Sequence, residues 1–519
     1  MQETELKFQV PATRREALRR ALATTTAQTT RLHAVYVDTV DHRLAAAGLA
    51  LRLRKEGRLW VQTVKGRGDG LMQRLEHEVP LPPRRGLPII DLALHDHTPV
   101  GLALRAALAE AEEAAATLLP VYRTDIARLH RRVRHEHAVV EVSYDRGRIL
   151  VGDGSKLRAL AVDEIEFELK SGSPRALVSL AALWAARYGL WWDVRTKSER
   201  GFRMALGQTQ VRATKAASAA LPDAPAGQDH LAGVFGAMLQ STLAHALPNL
   251  AEIAGLAVGG EAAPVHLHQL RVALRRLRTV LALFAHWSSE PGTARALEAQ
   301  WQIHFKRLGA ARDADVLAAT WMPQLAAAGA PLLQLAAGPP HEDVGAALRD
   351  PAVSVLLLHT LALAVPGQQR AAAAAPSATA RPASGSPEVP ALQAAARQIL
   401  ERAWIRAWAD AKGYAQASVD HQHRARKRLK RLRYALELLQ PLFPAKPTRK
   451  MLRALNSALK ALGDHNDLHA AMGFFRAALA ADPKAWFAVG WLTALQGPAQ
   501  GSAVAALADL KQVRRVWSR

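Results

Sequence analysis

Residues Glu3-Thr4-Glu5-Leu6-Lys7-Phe8 alternate polar and apolar side chains, and Glu164-Ile165-Glu166-Phe167-Glu168-Leu169-Lys170 repeat the alternation some 160 residues later. Successive side chains of a β-strand point to opposite faces. Glu3, Glu5 and Lys7 therefore share one face, and Leu6 and Phe8 the other. Arg52 and Arg54, backed by Leu51 and Leu53, read the same way, as do Arg74, Glu76 and Glu78. Ordinary half-buried strands also alternate, so one such stretch predicts only a sheet. Four strands with ordered carboxylate and guanidinium faces predict a closed antiparallel barrel whose charged faces turn inward.

The surrounding sequence fits that expectation. Short alternating runs recur at Val35–Asp38, Leu49–Arg54, Leu59–Lys65, Ala138–Tyr144 and Ile149–Val151, with turn residues such as Gly66-Arg67-Gly68-Asp69-Gly70 between runs. Helical periodicity is confined to Arg14–Ala23, Leu102–Ala116 and Pro174–Tyr188. A charged interior needs a charged ligand. Clustered carboxylates repel one another unless a hard divalent cation joins them, and Mg²⁺ with oxygen ligands suits that role. Arg and Lys around such a cluster would hold phosphate oxygens, Arg in bidentate fashion. The residues predict a Mg²⁺-dependent site for a compact polyphosphate, with neither a covalent nucleophile nor a Walker-type phosphate loop.

These segments also resemble a known family. Glu3-Thr4-Glu5-Leu6-Lys7 is similar to the Glu-x-Glu-x-Lys signature of the CYTH, or triphosphate tunnel metalloenzyme, superfamily. Leu51-Arg52-Leu53-Arg54, Thr63-Val64-Lys65, Arg74 with Glu76 and Glu78, and Thr124 to Arg128 follow in the order the family shows. Asp145-Arg146-Gly147, Glu164-Ile165-Glu166-Phe167-Glu168 and Lys197-Ser198-Glu199-Arg200-Gly201 complete the set. The resemblance implies metal ligation by Glu3, Glu5, Asp145, Glu164 and Glu166, with Glu3, Glu5 and Lys7 as the catalytic signature. It implies phosphate contacts from Arg52, Arg54, Lys65, Arg74, Arg128, Lys197 and Arg200. Glu141 and Glu168 are weaker candidates for the site, and Asp38 reads as structural.

After residue 228 the pattern changes to Ala/Leu-rich helical periodicity. Along one helix, His268, Arg271, Arg275 and Arg278 form a basic stripe, with Leu270, Leu274, Leu277 and Leu281 opposite. His423, Arg426, Lys430 and Arg433 repeat the stripe 155 residues later, and Leu308-Gly309 with Asp313 recurs as Leu462-Gly463 with Asp467 at an offset of 154. An internal duplication of a helical bundle explains both offsets. Like charges on one face repel unless something negative binds. A solvated basic face is the bland reading, but two copies in one register favour an anion site. The stripes lack stacking aromatics apart from Tyr434, which argues for an all-phosphate ligand over nucleic acid. The paired helices resemble a CHAD domain, a pair of pseudo-symmetric helical bundles whose basic face binds inorganic polyphosphate. By that resemblance His268, Arg271, Arg275, Arg276 and Arg278 would contact long-chain polyphosphate. So would His423, Arg426, Lys427, Lys430, Arg431 and Arg433.

The composition agrees with a polyanionic partner: 68 Lys and Arg stand against 45 Asp and Glu in 519 residues, a net charge of +23. Cysteine is absent, which excludes disulfides, thiolate zinc sites and cysteine nucleophiles. No signal peptide is visible at Met1-Gln2-Glu3, and the longest apolar run, around Val353–Val365, is too short to span a bilayer. The expected protein is cytoplasmic, with no membrane and no specific nucleic-acid partner, and associates with polyphosphate granules.

The expected fold class is an α+β two-domain chain. Residues 1–205 form an antiparallel β-barrel tunnel with flanking helices, 206–228 a linker, and 229–519 an all-α region of duplicated bundles. Its halves lie at about 229–365 and 391–519 around a low-complexity insert, 366–390. The expected activity is Mg²⁺-dependent (or Mn²⁺-dependent) hydrolysis of inorganic tripolyphosphate to diphosphate and phosphate. The alternatives are a class IV-type adenylyl cyclase or organic triphosphatase, and a non-catalytic polyphosphate-binding protein. Cyclase relatives commonly place His-Phe before the signature, where this chain has only Met1-Gln2.

Overall fold

A computed structural model of the chain describes residues 2–109, 117–208, 211–218, 221, 228–255, 264–333, 343–365 and 388–518. Among the described residues nine strands make one sheet: β1 (Gln2–Gln9), β2 (Gln28–Asp38), β3 (Ala50–Glu56), β4 (Leu59–Arg67), β5 (Gln73–Leu81), β6 (Leu119–His135), β7 (Ala138–Val151), β8 (Arg158–Ser171) and the short β9 (Trp191–Trp192). Their order is β5-β4-β3-β2-β6-β7-β8-β1-β9, and a further β5–β1 pairing closes the first eight into an antiparallel barrel.

The chain divides into two compact units: Met1–Thr214 with Leu247–Ala257 and Leu348–Ala375, and Lys215–Ala246 with Val258–Ala347 and Pro376–Arg519. In the first unit, alternation assigns each strand face its surroundings. The outward side chains Leu6, Phe8, Ile165 and Phe167 are essentially inaccessible. They lie where the helix Pro174–Tyr188 covers the barrel wall, Phe167 meeting Phe8 and Trp184 edge-on at 5.8 Å in each case. Burying a side chain such as Phe167 contributes about 2–3 kcal/mol, so this covered wall fixes the register of β1 and β8. The inward face is apolar in one layer, where Leu32, Tyr36, Tyr122, Ile126, Ile149 and Val162 pack together with Phe202 and Met204 against them. Beyond that plug the interior is charged.

Two elements escape the sequence pattern, and a third is read from it in two pieces. Residues 119–135 form the longest strand, but their outward positions include the half-exposed or exposed Arg123, Asp125, Ala127 and Arg131, so no apolar alternation announces them. Ala138–Tyr144 and Ile149–Val151 belong to a single strand, β7. The helix Lys197–Ala205, capped by the Thr196 side chain accepting from the Glu199 amide, is short and polar. Asp38 is structural: its buried carboxylate accepts from the amides of Thr39, Leu44 and Ala45 at 2.8–3.0 Å, organising the turn Arg43–Ala46.

The second unit is helical. Its helices Pro264–Leu283 and Val419–Leu439 pack against each other. Leu270, Leu274, Leu277 and Leu281 are buried, as are Leu429, Leu432 and Leu436 in the repeat. Two glycines show the duplication physically. A Cβ on Gly309 would lie 3.6 Å from Arg271 Nη1, and one on Gly463 would lie 3.4 Å from Arg426 Nη2. In both halves the Leu-Gly step lies against the stripe arginine. Residues 366–387 of the low-complexity insert lie outside the described residues, and a helix starts at Glu388. Among the described residues no helix is long and apolar enough to cross a membrane.

Candidate functional site

Strand register builds the barrel site. Arg128 pairs with Asp145, Asp145 with Glu164, Gln9 with Glu164 and Lys7 with Glu166. Residues that face each other across neighbouring strands point the same way, so these side chains converge inside. Asp145, Glu164 and Glu166 offer carboxylate oxygens within 4.8 Å of one another. Arg128 is bidentate to Asp145 at 2.6 and 2.7 Å and reaches Glu166 at 2.6 Å. Lys197, from the short polar helix, contacts Asp145 at 2.8 Å and Glu166 at 2.7 Å and also pairs with Glu164. Arg200 pairs with Glu164 as well.

The other expected residues line the same interior. Glu3 approaches Lys65 at 3.8 Å, and Glu5 approaches Arg74 at 3.5 Å. They occupy the neighbouring strand and are not in the close carboxylate trio. Arg52 lies 3.6 Å from Glu76 and 3.4 Å from Glu78, and its Nη1 donates to the Tyr36 hydroxyl at 3.3 Å. Arg54 reaches Glu78 at 3.0 Å and also pairs with Glu56. The Nε atoms of Arg52 and Arg54 are buried with no acceptor. Lys65 pairs with Glu76, and Lys7 donates to the main-chain carbonyl of Arg195.

Glu76 and Asp193 are the residues to which sequence reading gave no role. Glu76 is only 4% exposed and serves two cations, Arg52 and Lys65. Its position on one face with Arg74 and Glu78 was the available signal. Asp193 is fully buried, holding Arg195 and accepting from Gln9 at 3.1 Å. It sits between Trp192 and Val194, where no charge pattern marks it.

Electrostatics keep the trio ionised. Burial by itself raises a carboxyl's pKa, but Lys197 and Arg128 outweigh it at Glu166 and hold that group well below its ordinary value. The same contest lowers Asp145, through Arg128 and Lys197, and Glu164, through Lys197 and Arg200. Reciprocally, the carboxylates outweigh the burial of Lys197 and Arg128 and raise both. At Lys7 burial wins over Glu164, and its pKa falls. Anionic centres ringed by fixed cations give this interior groups complementary both to a cation and to a polyanion.

On the helical unit, the first stripe lies over a ring: Phe305 has Arg271, Arg275 and Arg278 at 4.6, 5.2 and 5.5 Å from its centroid. Such contacts hold guanidinium groups in place without neutralising them. Glu298 approaches Arg278 at 2.8 Å and Arg431 at 3.5 Å, so the two stripes adjoin. His423 bonds Asn466 at 2.6 Å, and Arg426 lies 3.7 Å from Asp467. Lys430 is driven down to about 6 by burial, then by Arg426 and Arg275. Burial lowers Lys427 too, with Arg278 and Lys306 adding to it. Arg276 points away from the stripe; it is 2% exposed and donates to the Ala217 carbonyl at 3.1 Å. The side chain of Asp313 is outside the described residues.

An inorganic triphosphatase of Haemophilus influenzae is 29% identical to the chain over 170 residues, 32% of this chain and 44% of that protein. The chain thus spans less than half the length of that relative. Among solved structures, the CHAD domain of Ricinus communis is similar with 29% identity and a TM-score of 0.43, over 59% of this chain and 98% of that one. A putative adenylyl cyclase from Hippeastrum, described as revealing a dominant triphosphatase activity, is similar with 18% identity and a TM-score of 0.28, over 39% of this chain and 95% of that one. Residues 1–202, which contain the whole charged barrel, match the CYTH domain, and residues 237–476, which contain both basic stripes, match the CHAD domain, so the chain carries a CYTH domain and a CHAD domain in one polypeptide.

Proposed function

We propose that the barrel is a Mg²⁺-dependent inorganic triphosphatase, hydrolysing tripolyphosphate to diphosphate and orthophosphate, and that the helical unit binds long-chain polyphosphate. The observation that carries the first part is the carboxylate trio Asp145, Glu164 and Glu166 set among Lys197, Arg128 and Arg200 inside a closed barrel. The donor set is all oxygen, kept ionised below neutral pH, and fits a hard divalent cation. A Mg²⁺ ion held there, with Glu3 and Glu5 alongside, would supply Lewis-acid polarisation of phosphoryl oxygens.

The protein's own residues do the rest. Arg52, Arg54, Lys65 and Lys7 draw the three phosphates along the interior and neutralise their charge. Arg128, Lys197 and Arg200 exchange part of their carboxylate contacts for substrate oxygens as it enters. Water adds to the terminal phosphorus and gives up a proton to solvent, the bridging P–O bond breaks, and the leaving diphosphate oxygen takes up negative charge that the fixed cations stabilise. The apolar plug around Tyr36 and Tyr122 limits the depth of the chamber.

The polyphosphate reading of the helical unit is supported by the adjoining stripes and by guanidinium groups held over Phe305. The experiment is phosphate release from tripolyphosphate, ATP, thiamine triphosphate and long-chain polyphosphate, with and without Mg²⁺ or Mn²⁺, with cyclic AMP measured in the ATP sample. Fastest release from tripolyphosphate with metal supports the proposal. Cyclic AMP formed faster than orthophosphate would overturn it.

A further inference from the structure

The tunnel residues Lys197 and Arg200 sit on a segment bracketed by Arg195 and Arg203, and one carboxylate serves both of those arginines. Glu252 accepts from Arg203 Nη1 at 2.6 Å and lies 3.8 Å from Arg195 Nη1. It stands at the end of the helix Gln228–Ala254, within the stretch Leu247–Ala257 that belongs to the same compact unit as the barrel. This stretch falls inside the CHAD match, not the CYTH match. We propose that Glu252 is a positioning residue for the barrel site, fixing the 193–203 segment that carries Lys197 and Arg200; this rests on the reading of the barrel as a tripolyphosphate site.

The contacts run inward without a gap. Arg195 is bidentate to the buried Asp193 at 2.9 and 2.8 Å, and Gln9 donates to Asp193 at 3.1 Å and to Glu164 at 3.5 Å. The carbonyl of Arg195 receives the ammonium of Lys7. Moving Arg195 therefore moves the acceptor of Lys7 and the neighbour of Glu164 together. The helix end is itself fixed: Leu250, Ala251, Ile253 and Ala254 are buried, and Arg349 Nη1 donates to the Ala254 carbonyl at 2.8 Å. Gly255 lies so close to the Arg195 guanidinium that a Cβ there would collide with it. Glu252 supplies charge and Gly255 supplies room, and together they seat Arg195.

The test uses the full chain and two variants, Glu252→Ala and the isosteric Glu252→Gln. Loss of a charge-assisted hydrogen bond that orients binding groups should raise KM for tripolyphosphate by about tenfold in the first and about threefold in the second, with kcat within twofold of wild type. Hydrogen exchange of 193–205 should quicken in both, with the amides of β7 and β8 unchanged. A purely structural role would lower the active fraction and leave KM alone. KM within twofold of wild type in both variants, or unchanged exchange in 193–205, overturns the inference. If the wild type fails to hydrolyse tripolyphosphate while exchange at 193–205 responds to Glu252, the functional reading fails and the seating of Arg195 by Glu252 stands.

Discussion

Replacing Lys197 by Met removes the ammonium shared by three carboxylates and keeps a side chain of similar length. In the wild type this ammonium contacts Asp145 and Glu166 at 2.8 and 2.7 Å and pairs with Glu164, and it is only 14% exposed, so solvent screens it little. Removing one partner from a buried ion pair costs about 3–5 kcal/mol. Arg128 and Arg200 remain, so the lower end applies, and about 3 kcal/mol in a unit of this size is a fall of roughly 6–12 °C in Tm. The variant then has a carboxylate cluster short of one positive charge. A divalent cation should restore what the ammonium supplied, and a site filled at a hundredfold excess over its Kd returns about 2.7 kcal/mol.

Calorimetry of both proteins, with and without Mg²⁺ or Mn²⁺, measures this directly: a low Tm without metal, and a larger metal-induced rise in the variant than in the wild type. The pH dependence has a definite sign. Carboxyls whose folded pKa is depressed contribute stability above their ordinary values near 4, and that contribution is lost as pH falls through the folded values. Without Lys197 those folded values rise, so the loss begins at higher pH in the variant. Equal melting without metal, or no greater rise with it, would refute the idea that the trio is a joint cation site.

Glu5→Gln keeps the shape of β1 and removes a charge from the proposed metal environment; metal-dependent tripolyphosphate hydrolysis should fall at least a hundredfold with the fold intact, and near-normal turnover at saturating metal would remove Glu5 from the ligand set. Replacing Arg271, Arg275, Arg426 and Lys430 together by Ala should weaken long-chain polyphosphate binding and flatten its salt dependence, since each lost cation releases one fewer counterion; equal affinities by titration calorimetry at two salt concentrations would leave a merely solvated basic face. Burial drives Lys430 down to about 6, and a bound polyanion would charge it, so binding should take up a proton above that pH. Affinity should therefore fall as pH rises from 6 to 8, and Lys430→Arg should reduce that dependence, as measured by titration calorimetry in buffers of different ionisation enthalpy.

Alternation with period two determined the inward charged faces of β1, β3, β5 and β8 by itself, because a one-residue slip would expose Leu6, Phe8, Ile165 and Phe167 to the interior and put carboxylates under the helix Pro174–Tyr188. The stripes and the 155-residue repeat were equally plain in the sequence, because helical spacing and duplication are local or periodic properties. Tertiary structure decided what depends on distant partners. It made β6 a strand through pairing with β2 and β7, although its outer face carries no apolar pattern. It drew Asp145, Glu164 and Glu166 around Lys197, which lies about thirty or more residues further along the chain. It buried Arg276 against the Ala217 carbonyl, away from the polyphosphate face on which the resemblance would place it, and set Phe305 beneath the stripe. It also carried Glu252 to Arg195 and Arg203, a meeting across 49 residues and more that no spacing encodes, because ion pairs between separate elements form only once packing has fixed both.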